Sequence, residues 1–260
     1  MINKKYLKLL RFKSQVQSNK FVYNLISKRI IDSLDIIKHP FENIIEIGIN
    51  DDKIHEYLIS RYKNCNIQRA DIVHVNKSSN LKNNLEYIKI NLDNLNLVKN
   101  SYDLVYSNFF LHLFPDFNKI LSQVCDSLKP NSFFIAAIPD VNNIYQLVNA
   151  MYRVDMYLYN GAYRRINPTI NIEDLIIKFK KFNFENPIIN SDTITIEYEK
   201  FISLLKDMKS TNLTYCHNDK KKLFEKKEYF KLLEEDFVKS YSDKNFVLDI
   251  KFNIISVWKK

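Results

Sequence analysis

Glycine is almost absent from this sequence: only Gly48 and Gly161 occur among its 260 residues. A glycine that is kept in such a sequence indicates a place where the backbone passes close to something else. Gly48 directly follows the apolar run 44–47, where a buried strand would lead into the next helix. The sequence therefore predicts that a neighbouring element or a bound cofactor lies against Gly48.

Cysteine is also scarce. Cys65, Cys125 and Cys216 are far apart and show no paired spacing. Neither a disulfide framework nor a zinc site is predicted, and no metal ligands are expected elsewhere.

Long apolar runs are missing as well. No run reaches the ~18 to 20 residues that a membrane-spanning helix needs, and the first residues lack the apolar stretch of a signal peptide. We therefore expect a cytoplasmic protein without membrane insertion. With 46% hydrophobic and 27% charged residues, the chain can bury a full core as one large domain, or as one domain with an elaboration.

The net charge of +9 raises the question of nucleic-acid binding. However, lysine, asparagine and isoleucine are abundant while glycine, alanine and proline are scarce, which is typical of an AT-rich coding sequence. The compact basic runs 220–222 and 226–227 alternate with acids, as on a mixed-charge exposed helix. No nucleic-acid partner is predicted.

The first half of the chain alternates strand and helix patterns. Apolar runs predict strands at 44–47, 67–75, 87–90, 102–106 and 133–138. A helix at 116–128 begins with Asp116 as its cap and stops before Pro130. Such βαβ units form a doubly wound parallel sheet.

Beyond Pro139 the pattern changes. Helices are predicted at 142–157, from 171, at 198–208 and at 220–240, and strands at 187–198 and 246–258. Helices therefore separate two strands that would otherwise form an antiparallel hairpin. They are expected to lie at an edge or over the mouth of the sheet.

Three acids fall at or after the ends of the first strands: Glu46, Asp71 and Asp93. Asp71 follows Gly48 by 23 positions, close to the interval at which nucleotide-binding folds place an acid for the ribose hydroxyls. A single acid at a strand end is often a solvated turn residue or a helix cap. Three acids at corresponding positions, each at or after the end of a strand, indicate a binding site more strongly.

These segments resemble the class I S-adenosylmethionine-dependent methyltransferases. Residues 46–48 resemble the family's first motif, 102–108 its fourth strand, and 128–130 with 133–137 its LKPGG-plus-strand motif. The resemblance implies S-adenosyl-L-methionine as cofactor. It also implies a Rossmann-like, seven-stranded α/β sheet that is mostly parallel with an antiparallel last strand, and a helical cap insertion.

The resemblance also implies roles for individual residues. Asp71 matches the acid that binds the ribose, and Asp93 matches the acid that contacts the adenine amino group. The remaining cofactor contacts that it implies are Glu46, Gly48, Asn50 and Asn108.

Four later segments narrow the resemblance. Residues 111–116, 165–168, 207–212 and 254–259 are similar to the branch that holds the malonyl-carrier-protein methyltransferase of biotin synthesis and the arginine hydroxylase of complex I assembly. This implies a small-molecule or carrier-protein acceptor, or a respiratory complex I subunit, as partner. The implied division is N-terminal helices in 1–40, a cofactor-binding core in 41–140, a cap with one sheet strand in 141–245, and a final core strand in 246–260. The sequence does not indicate an oligomeric state.

Two departures from the family pattern leave an alternative open. Asn50 and Asp52 stand where the first motif continues with glycine, and Asn131 and Ser132 replace the glycines of LKPGG. A carboxylate at Asp52 would repel the cofactor's own carboxylate by ~1 kcal/mol at ~4 Å in water, and by more in a drier cleft. The alternatives to methyl transfer are therefore an arginine hydroxylase and a non-catalytic assembly factor with a degenerate cofactor site.

Three residues outside the cofactor motifs are candidate substrate contacts. His112 is either a packed histidine or a general base near the methyl acceptor. Arg164 and Arg165 are either solvated loop residues or contacts to an anion. The cap from 142 to 240 would select the acceptor.

Overall fold

A seven-stranded sheet organises the protein, for which the computed structural model describes residues 2–16, 20–73, 86–221, 225–241 and 245–260. The strands are β1 (Asn43–Ile47), β2 (Asn66–Asp71), β3 (Glu86–Lys89), β4 (Tyr102–Asn108), β5 (Leu128–Pro139), β6 (Phe184–Tyr198) and β7 (Phe246–Lys259). Their spatial order is β3-β2-β1-β4-β5-β7-β6. Only β7 runs against its neighbours, β5 and β6. The predicted fold class is confirmed.

Eight α-helices accompany these strands in the described residues: α1 (Lys4–Val16), α2 (Phe21–Asp35), α3 (Lys53–Arg61), α4 (Phe117–Ser127), α5 (Tyr145–Tyr159), α6 (Ile172–Lys180), α7 (Phe201–Ser210) and α8 (Lys227–Tyr241). Two of them begin at the predicted caps. The Asp116 carboxylate accepts from the Lys119 amide at 3.0 Å, and the Asn171 side chain accepts from the Glu173 amide at 3.2 Å. None of the helices in the described ranges is long and apolar enough to cross a membrane.

Several boundaries differ from the prediction. β2 ends at Asp71, and positions 74 and 75 of the predicted strand lie outside the described residues. α5 begins at Tyr145 because the preceding backbone pairs with β7, where the Ile144 amide donates to the Asp249 carbonyl at 3.1 Å. α8 begins at Lys227, since Lys220 packs on the Tyr6 ring instead of joining a helix; positions 222–224 are not among the described residues.

The central strands are buried on both faces, as a doubly wound sheet requires. Adjacent residues of β1 point into opposite cores: Ile44 packs with α2 and the cap helices, whereas Ile45 packs with the layer that contains α4. Cap residues such as Leu147 on α5 and Leu233 on α8 belong to the same core as Ile44. The cap is therefore continuous with the sheet's core, while the proposed domain boundaries remain a prediction.

Candidate functional site

Gly48 lies at the carboxyl end of β1 and has a φ of +88°, a conformation that side chains with a Cβ rarely adopt. A Cβ added to Gly48 would lie 2.1 Å from Cγ of Phe110, which is too close for any contact. The close approach that the sequence predicted at Gly48 is thus made in this structure by a neighbouring element, the ring of Phe110.

Asp71 ends β2 on the same edge of the sheet, and its residue is only 2% exposed. Its carboxylate accepts hydrogen bonds from the Ile49 amide at 2.9 Å and from Gln15 Nε2 at 2.9 Å. Arg11 donates to it through Nη2 at 2.6 Å and through Nε at 3.1 Å. Two side chains of α1 therefore take up the acid that the sequence assigned to the ribose.

Arg11 is completely buried at this position. Its Nη2 also donates to the Ile49 carbonyl at 2.7 Å, its Nη1 donates to the Asn50 side chain, and its guanidinium lies 4.7 Å from the centre of the Phe110 ring. Burial alone would lower the pKa of Arg11, but the charge and hydrogen bonds of Asp71, together with Tyr23 and Glu46, outweigh it, so the pKa is raised. The guanidinium stays protonated, and it fills the space between Phe110 and Asp71.

The second predicted nucleoside acid is also paired with α1. Lys4 forms an ion pair with Asp93, and both side chains are about half exposed. Lys4 and Arg11 are seven positions apart, two helical turns, and so they lie on one face of α1. α1 therefore crosses the carboxyl ends of the first strands with one cation on each acid.

A different cation, Arg69 of β2, neutralises the acids around the first motif. Its Nε donates to Glu46 at 2.5 Å and its Nη1 donates to Asp52 at 2.6 Å. Asp52 thus faces Arg69, and the repulsion expected from its sequence position is offset by a buried guanidinium. Burial raises the pKa of Glu46 to about 7, against the opposing charge of Arg69.

Asn50 and Asn108 connect this edge to the N-terminal helices. The Asn50 side chain donates to the Asn108 carbonyl, and the Asn108 side chain donates to Ser27 Oγ of α2 at 2.9 Å. Ser27 in turn donates to Asp51 at 2.7 Å. Five of the six predicted cofactor residues are therefore buried together, and Asp93 lies at the exposed rim. Their roles as cofactor contacts remain predictions.

Comparison with known proteins places this site in a family. Residues 45–136, which span β1 to β5, match the family described as "Methyltransferase domain". Residues 45–136 therefore form a methyltransferase domain. The match confirms the methyltransferase domain that the sequence predicted, with S-adenosylmethionine as its expected cofactor.

Relatives and solved structures are similar over longer stretches. The mitochondrial arginine-hydroxylase NDUFAF5 of Mus musculus is 24% identical over 200 residues, which cover 76% of this chain and 58% of that protein. The chain thus spans little more than half of this relative. The YcgJ protein of Bacillus subtilis shares the fold with a TM-score of 0.60 at 12% identity, covering 88% of this chain and 96% of YcgJ.

A methyltransferase of known ligand shares the fold as well. Phosphoethanolamine N-methyltransferase 2 of Haemonchus contortus, solved with S-adenosylhomocysteine, has a TM-score of 0.51 at 14% identity. The similarity covers 90% of this chain and 52% of that one. At such identities these two structures show a common fold and no more.

The residues of the methyltransferase domain fit the cofactor in chemistry, but not in this conformation. The Asp71 carboxylate is the acceptor that a ribose diol needs, yet Arg11 and Gln15 hold it. Phe110 also lies where the backbone at Gly48 would otherwise be open. In this conformation Arg11 and Gln15 would therefore compete with a ribose for Asp71.

His112 lies in a short 3-10 turn, Leu111–Leu113, that follows β4 of the methyltransferase domain. It packs edge-on against the ring of Phe109, and only 7% of it is exposed. Burial lowers the pKa of His112 to about 3, with the Asn212 backbone acting in the opposite direction. The ring is therefore neutral near pH 7, the form that can accept a proton.

The two predicted anion contacts beyond the domain differ from each other. Arg165 is bound on both sides, to Asp155 through Nε at 3.1 Å and to Glu225 through Nη1 at 2.5 Å. Arg165 is thus not a solvated loop residue, because a fully buried carboxylate, Asp155, requires a cation; its role as a substrate contact remains a prediction. Arg164 is exposed.

The sequence analysis missed Arg11, Gln15, Phe110 and Arg69. One signal was available for the first two: the buried positions of α1 are Leu7, Arg11, Ser14 and Gln15, which follow helical spacing. A polar stripe at that spacing indicates a helix that covers a polar site. Among the described residues, no group of three or more acids, histidines and cysteines could hold a metal ion.

Proposed function

We propose that this protein is an S-adenosylmethionine-dependent methyltransferase for a small-molecule or protein-bound acceptor, and that α1 closes its cofactor site. The observation that carries the proposal is the position of Asp71 at the carboxyl end of β2 in the methyltransferase domain, where it pairs with the buried Arg11. A methyltransferase domain places its ribose acid there, and α1 occupies that acid. The site would open when Arg11 exchanges Asp71 for another partner.

The free-energy cost of opening the cofactor site is set by breaking the Arg11–Asp71 ion pair. Separating one partner of a buried ion pair costs about 3–5 kcal/mol when the other stays buried and unpaired. Ribose hydroxyls that replace Arg11 at Asp71 would recover part of that cost through charged hydrogen bonds. The apparent affinity for the cofactor would then equal the affinity of the open form multiplied by the fraction of molecules in which α1 is open.

The cofactor supplies an activated methyl group, so the protein's task is to align the acceptor and exclude water. Asp71 would hold the ribose, and Arg69 would keep the loop after β1 in place through Glu46 and Asp52. α1 would cover the site. Neutral His112 would line the acceptor side of the site without taking up the acceptor's proton, since a pKa of about 3 makes it a weak base.

A second candidate function is favoured by the same ion pair. A site filled by Arg11 and Gln15 is also what a non-catalytic assembly factor with a degenerate cofactor site would show. The similarity to an arginine-hydroxylase supports a respiratory complex I subunit as partner in that case. A cytoplasmic location and a carrier-protein acceptor belong to the first candidate.

Titration calorimetry with S-adenosylhomocysteine distinguishes the two candidates. The methyltransferase proposal predicts saturable binding that Asp71→Asn weakens by at least about tenfold, since a charged hydrogen bond contributes about 1.5–3 kcal/mol. Asp126→Asn, at an exposed acid near the end of α4, is the matched control and should bind like the wild type. Absence of heat at millimolar ligand would support the assembly-factor function.

A further inference from the structure

A second concave site lies inside the helical cap, between α5, α7 and α8. Its cavity has a volume of about 250 Å³. Apolar side chains make up part of its lining, called here the floor, among them Met151 of α5, Leu205 and Met208 of α7, and Phe230 of α8. This size is at the lower end of small-molecule sites and suits the apolar body of a small ligand.

The rim of this cavity is strongly basic. Its lining includes five cations, Arg164, Arg165, Lys209, Lys220 and Lys221, and one carboxylate, Glu225. Asp155 and Asp219 touch lining residues from outside, at Arg165 and at Tyr215. Even with both included, cations outnumber carboxylates by five to three.

The carboxylates are already committed to particular cations. Glu225 accepts from Arg165 and from Lys221 at 3.0 Å, and Asp155 is held by Arg165. In contrast, Arg164, Lys209 and Lys220 form no ion pair with a carboxylate in the described part of the chain. Three positive charges at the rim are thus not neutralised by a carboxylate, although Lys220 also contacts the ring and hydroxyl of Tyr6.

The cavity adjoins the carboxyl edge of the sheet through shared walls. Arg164 and Ile166 line both this cavity and a second one of about 400 Å³. The second cavity reaches Asp140, directly after β5, and Leu213. A ligand anchored in the cap would therefore extend toward the carboxyl end of β5.

From this arrangement we propose that the cap cavity binds an amphiphilic acid. The apolar part of the ligand lies on the floor, and its anionic group is held at the rim by Arg164, Lys209 and Lys220. The acid is either a free small molecule or the end group of a larger one. The role of this site as the anchor of the methyl acceptor rests on the proposed function. A cationic ligand, such as an arginine side chain, is disfavoured by the same rim.

Binding of octanoate and of its neutral counterpart octanamide to the full chain, without cofactor, tests the inference. We expect octanoate to bind about tenfold more tightly than octanamide, as a charge-assisted contact implies, and to weaken as salt is added. Lys209→Ala should weaken octanoate binding severalfold. Lys206→Ala removes an exposed lysine from the same helix that does not line the cavity, and should have no effect.

A second variant tests the apolar floor. Met151→Trp fills the cavity from a partly buried position and should abolish binding of both probes. Equal binding of the two probes, or equal effects of Lys206→Ala and Lys209→Ala, would overturn the inference. The binding test contains no cofactor. If octanoate binds but the protein transfers no methyl group, the proposed function is disproved and this inference is not.

Discussion

Arg11→Met should bind S-adenosylhomocysteine at least about tenfold more tightly than the wild type. The substitution keeps a long side chain but removes the cation that occupies Asp71, so the cofactor no longer has to displace it. Calorimetric titration measures the change. Lys8→Met, on the exposed face of the same helix, is the matched control and should leave the affinity unchanged.

The same variant should be less stable without ligand. Asp71 would remain buried without its main partner, which costs about 3–5 kcal/mol in urea unfolding. Arg11→Met combined with Asp71→Asn should recover part of this loss, because no charge is then left unpaired, but should lose the gain in affinity. Weaker binding by Arg11→Met, with the fold intact, would instead mean that Arg11 is itself a cofactor contact.

His112 should make the folded state sensitive to acid. Its pKa is about 3 in the folded protein and about 6.5 in an unfolded chain, so between these values only the unfolded state takes up the proton. The stability that neutral His112 contributes is therefore complete above pH 6.5 and is lost as the pH falls. Wild type should lose roughly 2 to 3 kcal/mol from this residue between pH 6.5 and pH 4.5.

His112→Gln isolates this contribution from other titrating groups. Urea unfolding at several pH values should show a shallower loss of stability for the variant on the acid side. Groups such as Glu46 and His55 also titrate, but they are common to both proteins and cancel in the difference. Parallel curves for the two proteins would contradict the neutral, buried state of His112.

The strands and caps could be predicted because local signals determine them. The apolar run at 44–47 reads as a strand buried on both faces, and Asp116 and Asn171 cap helices by contacts within a few residues. Boundaries failed where a distant contact decides them. α5 begins late because the residues just before it pair with β7, about a hundred positions away.

The candidate site was predictable only in part for the same reason. Gly48 and Asp71 follow from strand ends and spacing, but the partner of Asp71 lies 60 positions earlier in the chain. Asp52 reads as a repulsive charge until Arg69, 17 positions later, is seen to face it. Pairings across such separations depend on how the elements pack, which one sequence alone does not specify.

The central claim is that Arg11 and the cofactor compete for Asp71. A structure of the wild-type protein with bound S-adenosylhomocysteine tests it most directly, through the separation of the Arg11 guanidinium and the Asp71 carboxylate. We predict that the pair, now 2.6 Å apart, is separated beyond hydrogen-bonding distance and that the ribose hydroxyls contact Asp71. A bound nucleoside with the Arg11–Asp71 pair still intact would contradict the claim.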